Sequence, residues 1–441
     1  MNKALITFNP KLNLSKNEQA VLDLLLEAGQ LILPIYELQE NHQQPGANFY
    51  PHDASREEVE AAAKINPEIL SPYTVVERKD GRLVATPYHE KYANLLAPVV
   101  EKLKAAAKLT ENKDFAKRLE TQAEVLLTGD YKKAVIYWMD MKPYVLDINI
   151  GPVERYDDKL LFIKTSYQSW VGVMDEENTK KITQYKDLIL SARRQAMMSS
   201  ERVDYYNKVQ TRIDDLLLFS GLVARTQFVG VNLPNDTDLV EAYGSEITIF
   251  KQTNELRHQK NMAIFKKIFS KDFQKQFTSE DLAYGSLYST ALHELAHTYL
   301  RYRGSEKRLK DLFPIIDELA ASVTGMRVCG ALLLKDIVTQ KQLESIMLAY
   351  MCRSFHHVIN EADNKSKLHY ITANAVFINF LIETGGVQEV GGISWPNFTK
   401  IFLSITELSN ILEKILSSGV REDAESFIKH YGDFSKLQRF K

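Results

Sequence analysis

Cysteine is nearly absent: 441 residues carry only Cys329 and Cys352. Neither has the paired spacing of a disulfide framework or a thiolate metal site, so stapling is excluded and a reducing compartment is expected. Glycine and proline are sparse as well, at 19 and 13, which argues against a turn-dense all-β design and favours long helices. No charge of one sign prevails, because 55 basic and 57 acidic side chains nearly cancel. That balance leaves no electrostatic footprint for nucleic acid or an anionic membrane. Long apolar runs are missing too. The stretch "LLLEAGQLILPIY" is broken by Glu27, Gly29 and Pro34, short of the roughly 18 residues that a bilayer span needs. The opening "MNKALITFNPKLNLSKNEQA" has no apolar core of a secretory signal. A cytoplasmic protein with neither nucleic-acid nor membrane partners is expected, its oligomeric state left open.

What is present is helical periodicity. The length exceeds what one core usually serves, so two lobes around a cleft are expected. "SREEVEAAAK" opens with Ser55 followed three residues later by Glu58, a capping-box pairing. Amphipathic stretches over 88–108 and 112–127 continue a bundle. From 146, "VLDINIGPVERYDDKLLFIKTSYQSWVGVMD" is rich in β-branched and aromatic residues between polar breaks and predicts three or four strands. A hairpin turning at Asp80-Gly81 is expected to join them. Helix is then expected over 177–219, strands in "RTQFVGVNLPND" and "SEITIF", and almost continuous helix from 254 onward. The fold class is α+β, predominantly helical, with a small sheet or barrel in one lobe. The expected divisions are 1–176, a helical crossover at 177–222, strands returning to the first lobe at 223–253, a helical lobe at 254–392, and C-terminal helices at 393–441.

The chemistry concentrates in "HELAH", residues 293–297. Side chains four apart on a helix share a face, so His293 and His297 present two imidazoles to one point. Glu294 falls beside that face, close enough to hold a metal-bound water without taking a ligand position. Leu292, Leu295, Ala296 and Tyr299 form a core stripe alongside. A catalytic zinc site wants three protein ligands and an open fourth position. Glu318, in "DLFPIIDELAASVTG", supplies the third after twenty intervening residues, room for one helix to end and another to return antiparallel. Asp317 is placed to accept a hydrogen bond from a ligand imidazole. One zinc per chain, with Glu294 as general base, predicts hydrolysis of a polarised carbonyl, most simply a peptide bond.

From about residue 45 to 435 the chain resembles the dipeptidyl peptidase III family of zinc metallopeptidases, in particular its shorter bacterial members and the matching part of a plant Nudix-fused homologue. "VERYDDKLLFIKTSYQSWVGV" is similar to the family segment whose glutamate binds the substrate amino terminus and whose tyrosine stabilises the tetrahedral intermediate, which implies those roles for Glu154 and Tyr156. As strand residues two apart, the two are expected on one face. "GVNLPND" resembles the segment whose asparagines bind substrate backbone, here Asn232 and Asn235. "IIDELAAS" resembles the acidic segment of the third ligand, with Ser322 standing where the family has an acid, which weakens one contact to the metal ligands. A family histidine that assists the intermediate aligns with Tyr370, and His369, one residue away, is the candidate for its catalytic role. No Nudix box occurs, so a pyrophosphatase is not implied. The resemblance implies an exopeptidase releasing short N-terminal fragments from oligopeptides. A peptide-binding scaffold without catalysis, or a zinc endopeptidase or aminopeptidase, is the other class.

Overall fold

The computed structural model describes residues 4–196, 208–364, 367–390 and 393–440. The architecture is α+β and mainly helical, as expected. The chain divides into two compact units, Met1–Glu176 with Asp214–Phe228, and Glu177–Ile213 with Val229–Lys441. The second unit includes the strands Gly230–Leu233 and Ser245–Phe250.

In the first unit, Ser15 and Glu18 close a reciprocal capping box at the start of the helix Lys16–Gln30. That helix packs on Ala93–Leu109, which packs in turn on Lys113–Thr128, and Leu22, Leu25, Leu96, Leu103, Phe115 and Leu119 lie buried in their common core. Strands Leu146–Glu154 and Ser166–Met174 pair antiparallel beneath them. At their centre Arg118 Nη2 lies 2.8 Å from Asp147 Oδ1, whose other oxygen accepts from Trp170 Nε1 at 2.8 Å. This buried charge is therefore paired and hydrogen-bonded, as burial demands.

Three expectations are corrected here. The region 146–176 holds two long strands, not three or four. Its middle part is a loop wound around the buried Asp158, whose carboxylate accepts from the backbone N–H of Leu160, Leu161, Ile163 and Lys164 and from the Tyr50 hydroxyl. An acceptor that satisfies four backbone donors replaces a strand partner. The hairpin Thr74–Lys79 with Arg82–Pro87 forms, and Asp80 and Gly81 both take positive φ as a two-residue primed turn requires. Among the described residues it pairs only with itself. Finally, the stretch expected as helix over 177–219 is helix only at Glu176–Ala196, residues 197–207 lie outside the described residues, and Val209–Gly221 is a strand. "RIDDLLLF" is buried almost throughout, and periodicity does not separate a strand covered on both faces from a core helix.

The second unit is a helical stack on one large apolar core. Its helices Lys251–Ile268, Ser279–Tyr299, Phe313–Leu333, Gln340–Asn360, Leu368–Glu383, Phe398–Ser418 and Arg421–Tyr431 agree with the almost continuous helix expected from 254 onward. Two glycines allow close approach to the helix that carries "HELAH". A Cβ on Gly285 would meet the Ser345 carbonyl oxygen at 2.1 Å, and one on Gly325 would meet the Leu292 carbonyl oxygen at 2.7 Å and the His293 nitrogen at 3.2 Å. No described helix is long and apolar enough to cross a membrane.

Candidate metal centre

The motif helix, Ser279–Tyr299, starts from a capping box in which Thr278 accepts from the Asp281 N–H and Asp281 accepts from the Thr278 N–H. Leu292, Leu295, Ala296 and Tyr299 are fully buried, which fixes the helix's rotation. His293 and His297 then point to a common spot, with Nε2 atoms 3.2 Å apart. The return helix, Phe313–Leu333, has Pro at its first turn, where a missing N–H costs nothing. It brings Glu318 Oε2 to 3.4 Å from His293 Nε2. One donor atom from each of His293, His297 and Glu318 lies within 4.8 Å of the others. Arms of 2.0–2.1 Å in a tetrahedral site put ligand atoms about 3.3–3.4 Å apart, so the two close spacings suit a four-coordinate ion.

Outer partners decide which imidazole nitrogens face that spot. His293 Nδ1 lies 2.9 Å from Ser322 Oγ, and His297 Nδ1 lies 3.3 Å from Asp317 Oδ2. With each Nδ1–H turned outward, both Nε2 lone pairs and a carboxylate converge, an arrangement that calls for a cation. The electrostatics agree. Burial opposes charge on His297, but Asp317, Glu318 and Glu294 outweigh it and carry its pKa up to about 9. Burial likewise raises Glu318, yet His293, His297 and Arg353 hold its carboxyl at about 2. The third ligand also has an outer partner, since the Tyr370 hydroxyl donates to Glu318 Oε1 at 3.4 Å.

Glu294 is partly exposed beside the histidines, and its Cγ packs where a Cβ on Gly230 would stand, at 3.1 Å. Asn232 joins this neighbourhood by an unforeseen route. Its Nδ2 donates to the Glu294 carbonyl and to Thr298 Oγ1, at 3.1 and 3.2 Å, clipping its strand to the motif helix. Its buried Oδ1 has no partner among the described residues. Asn235 is exposed, beyond the Leu233–Pro234 cis peptide. Glu154 and Tyr156 belong to the first unit. The strand ends at Glu154, which is buried, whereas Tyr156 sits in the following turn, 55% exposed, with its ring edge-on to Phe228. The expected shared strand face is thus not formed, because pairing stops at Glu154, two residues before Tyr156. His369 packs against the Tyr370 ring, centroids 4.1 Å apart, and burial lowers its pKa. Of that pair, Tyr370 is the one hydrogen-bonded to a member of the triad.

Two residues escaped sequence reasoning and a third was misjudged. Gly325 and Gly230 admit close neighbours, and Ser322 fills a role that the replacement of an acid made doubtful. The small residues Ala321, Ser322 and Gly325 at helical spacing were the available signal for a close helix contact.

The sequence model of peptidase family M49 matches residues 52–296, more than half of the chain. The chain belongs to peptidase family M49. His297 and Glu318 lie beyond the matched stretch, so their place in this M49 member rests on geometry. Dipeptidyl peptidase III from Caldithrix abyssi shares the fold, with a TM-score of 0.87 at 24% identity over 97% of this chain and 92% of that one. Dipeptidyl-peptidase III from Corallococcus sp. strain EGB gives 0.78 at 21% identity over 98% and 92%. Nudix hydrolase 3 of Arabidopsis thaliana is 24% identical over 427 residues, covering 88% of this chain and 54% of the relative. The M49 chain therefore spans about half the length of the curated relative it matches.

Proposed function

We propose that this M49 member is a zinc peptidase that hydrolyses oligopeptides a short, fixed distance from a free amino terminus. The observation that carries the reading is the convergence of His293, His297 and Glu318 with both outer nitrogens already engaged. Zinc, when bound there, supplies a Lewis acid that polarises the scissile carbonyl and makes its water acidic. Glu294 accepts that water's proton, a role suited to a carboxylate that follows a ligand on the same helix. Asp317 and Ser322 keep the imidazoles oriented. Asn232 offers its unpartnered Oδ1 to a substrate backbone N–H, and an acceptor left buried and unpaired is costly unless something fills it. By the family resemblance, Glu154 pairs with the substrate ammonium, Asn235 holds its backbone and Tyr156 donates to the developing oxyanion. Cys329 and Cys352 are free and buried, which suits a reducing compartment such as the cytoplasm.

The deciding experiment pairs elemental analysis with product mass from a peptide library. About one zinc per chain is expected, falling away in His293→Ala and Glu318→Ala, together with release of N-terminal fragments of constant length. Full zinc occupancy in those variants would reject the assigned ligands. Cleavage at scattered internal bonds would reject the exopeptidase reading.

A further inference from the structure

We propose that Tyr370 is a positioning residue that restricts Glu318 to one ligand oxygen, Oε2, and so keeps the fourth position of the metal centre open to substrate. The inference rests on the reading of the triad as a metal site.

Each imidazole ligand has a single nitrogen left for the ion, since its Nδ1 is engaged by Ser322 or Asp317. Glu318 alone of the three has a second donor atom, and its two oxygens face different partners. Oε2 lies 3.4 Å from His293 Nε2, on the side where the imidazoles converge. Oε1 accepts from the Tyr370 hydroxyl, also at 3.4 Å. A carboxylate left to itself can turn and offer both oxygens to one cation. With three protein ligands, that extra bond fills the place a catalytic zinc keeps vacant. A donor stationed at the outer oxygen opposes the turn, because rotation that brings Oε1 inward breaks a directional hydrogen bond.

A hydrogen bond of this length is effective only if its donor cannot drift, and the surroundings of Tyr370 supply that restraint. Its ring lies against that of His369, with centroids 4.1 Å apart, and nearly parallel to that of His357, at 6.4 Å and 19°. His357 is itself held, with Nδ1 2.8 Å from Glu361 Oε2, an oxygen that also accepts from Lys367 Nζ at 3.2 Å. On the backbone side, the Tyr370 carbonyl accepts from Asn374 Nδ2 at 2.7 Å, and Asn374 Oδ1 accepts from Ser354 Oγ at 2.7 Å. The turn of Leu368–Glu383 that carries Tyr370 is thereby tied to the helix Gln340–Asn360. Ser354 and Asn374 are at most 3% exposed, so water does not compete for these bonds. The phenol is aimed at Oε1 from a fixed base.

The test uses the full chain loaded with Co2+ in place of zinc, because the visible bands of cobalt report coordination geometry, intense for four ligands and weak for five. Azide serves as the probe of the open position. The unmodified chain should show the intense bands and bind azide. Tyr370→Phe removes one oxygen and keeps the ring, so the variant should still take up the metal but lose band intensity and bind azide roughly 10-fold more weakly or worse. A weak five-coordinate spectrum in the unmodified chain would overturn the proposal outright. So would an unchanged spectrum and unchanged azide binding in Tyr370→Phe, and a melting temperature lowered equally with and without metal would then mark the hydroxyl as ordinary packing. If Tyr370→Phe fails to fold, Ser354→Ala decides, because it frees the turn behind the phenol and leaves the phenol in place; the same losses are expected, and their absence overturns the proposal there too. A chain that takes up neither cobalt nor zinc would sink the metal-site reading itself, a result distinct from normal uptake with an indifferent Tyr370→Phe.

Discussion

Gly325 lies against the backbone of the motif helix so closely that a methyl group there would stand 2.7 Å from the Leu292 carbonyl oxygen. Backbone cannot step aside as a side chain does, so Gly325→Ala must push the two ligand-bearing helices apart. We expect a loss of about 1–3 kcal/mol in stability from overpacking and a zinc affinity lowered by 10-fold or more. Denaturant melts and metal titration measure the two effects separately. Unchanged zinc affinity would show that the helix contact does not govern the ligand spacing.

Glu294→Gln keeps the shape beside His293 but cannot accept a proton. Turnover should fall by about 10²–10⁴-fold while zinc content stays near one per chain. Elemental analysis and steady-state rates on one preparation are sufficient. A variant that still hydrolyses at the unmodified rate removes Glu294 from the role of base.

Asp317→Asn leaves a hydrogen-bond acceptor for His297 Nδ1 and deletes its charge. Zinc affinity should drop by roughly 10–100-fold, read by competition with a chelator, whereas Asp317→Glu should retain more of it. Equal affinity in all three chains would mean that Asp317 does not support the ligand.

Acetylating a peptide's amino terminus removes the charge assigned to Glu154. Cleavage of the blocked peptide should be largely abolished, and Glu154→Ala should cut free and blocked peptides at similar, low rates. Product analysis by mass spectrometry distinguishes these outcomes. If the unmodified enzyme cuts both peptides equally well, the centre belongs to an endopeptidase.

Lys164 carries a pH prediction for the first unit. Fully buried, it donates to the Ile69 and Ser71 carbonyls and to Thr74 Oγ1, and burial lowers its pKa to about 7 against the pull of Asp158 and Glu68. The unfolded chain keeps this lysine protonated up to about 10.4, so between pH 7 and that value unfolding takes up a proton. Stability from this group therefore rises with pH across the window and is lost as pH falls through 7. The melting difference between the unmodified chain and Lys164→Met should widen from pH 7 to 9. A constant difference would show that the ammonium keeps its proton throughout.

The helical unit was legible in the sequence because its apolar positions recur at helical spacing and glycine and proline are sparse; Thr278 and Thr339 cap two of its helices. The meeting of His293, His297 and Glu318 followed from a four-residue spacing and a loop long enough to return. Val209–Gly221 was not legible, since burial on both faces erases the alternation that marks a strand. Nor was the loop around Asp158, because a carboxylate that gathers donors from its own neighbours leaves no periodic trace. Gly325 reads in sequence as a helix weakness, and only the opposing Leu292 carbonyl gives it meaning. Ser322 looked like the loss of an acid, and what it gained, the His293 Nδ1 at 2.9 Å, depends on two helices that no local window spans.

Cys329 follows Gly325 by four residues on the return helix, and Cys352 sits between Tyr350 and Ser354. Burial raises both thiols' pKa, that of Cys329 to about 12, so at neutral pH neither is a nucleophile while the unit stays closed. Each therefore reacts with a maleimide only during an opening of the very walls that hold the ligands, and mass increments over time record how often those walls part. Adding or stripping zinc should reset the pace of that record, which gives the native chain a stopwatch for its metal centre with no residue changed.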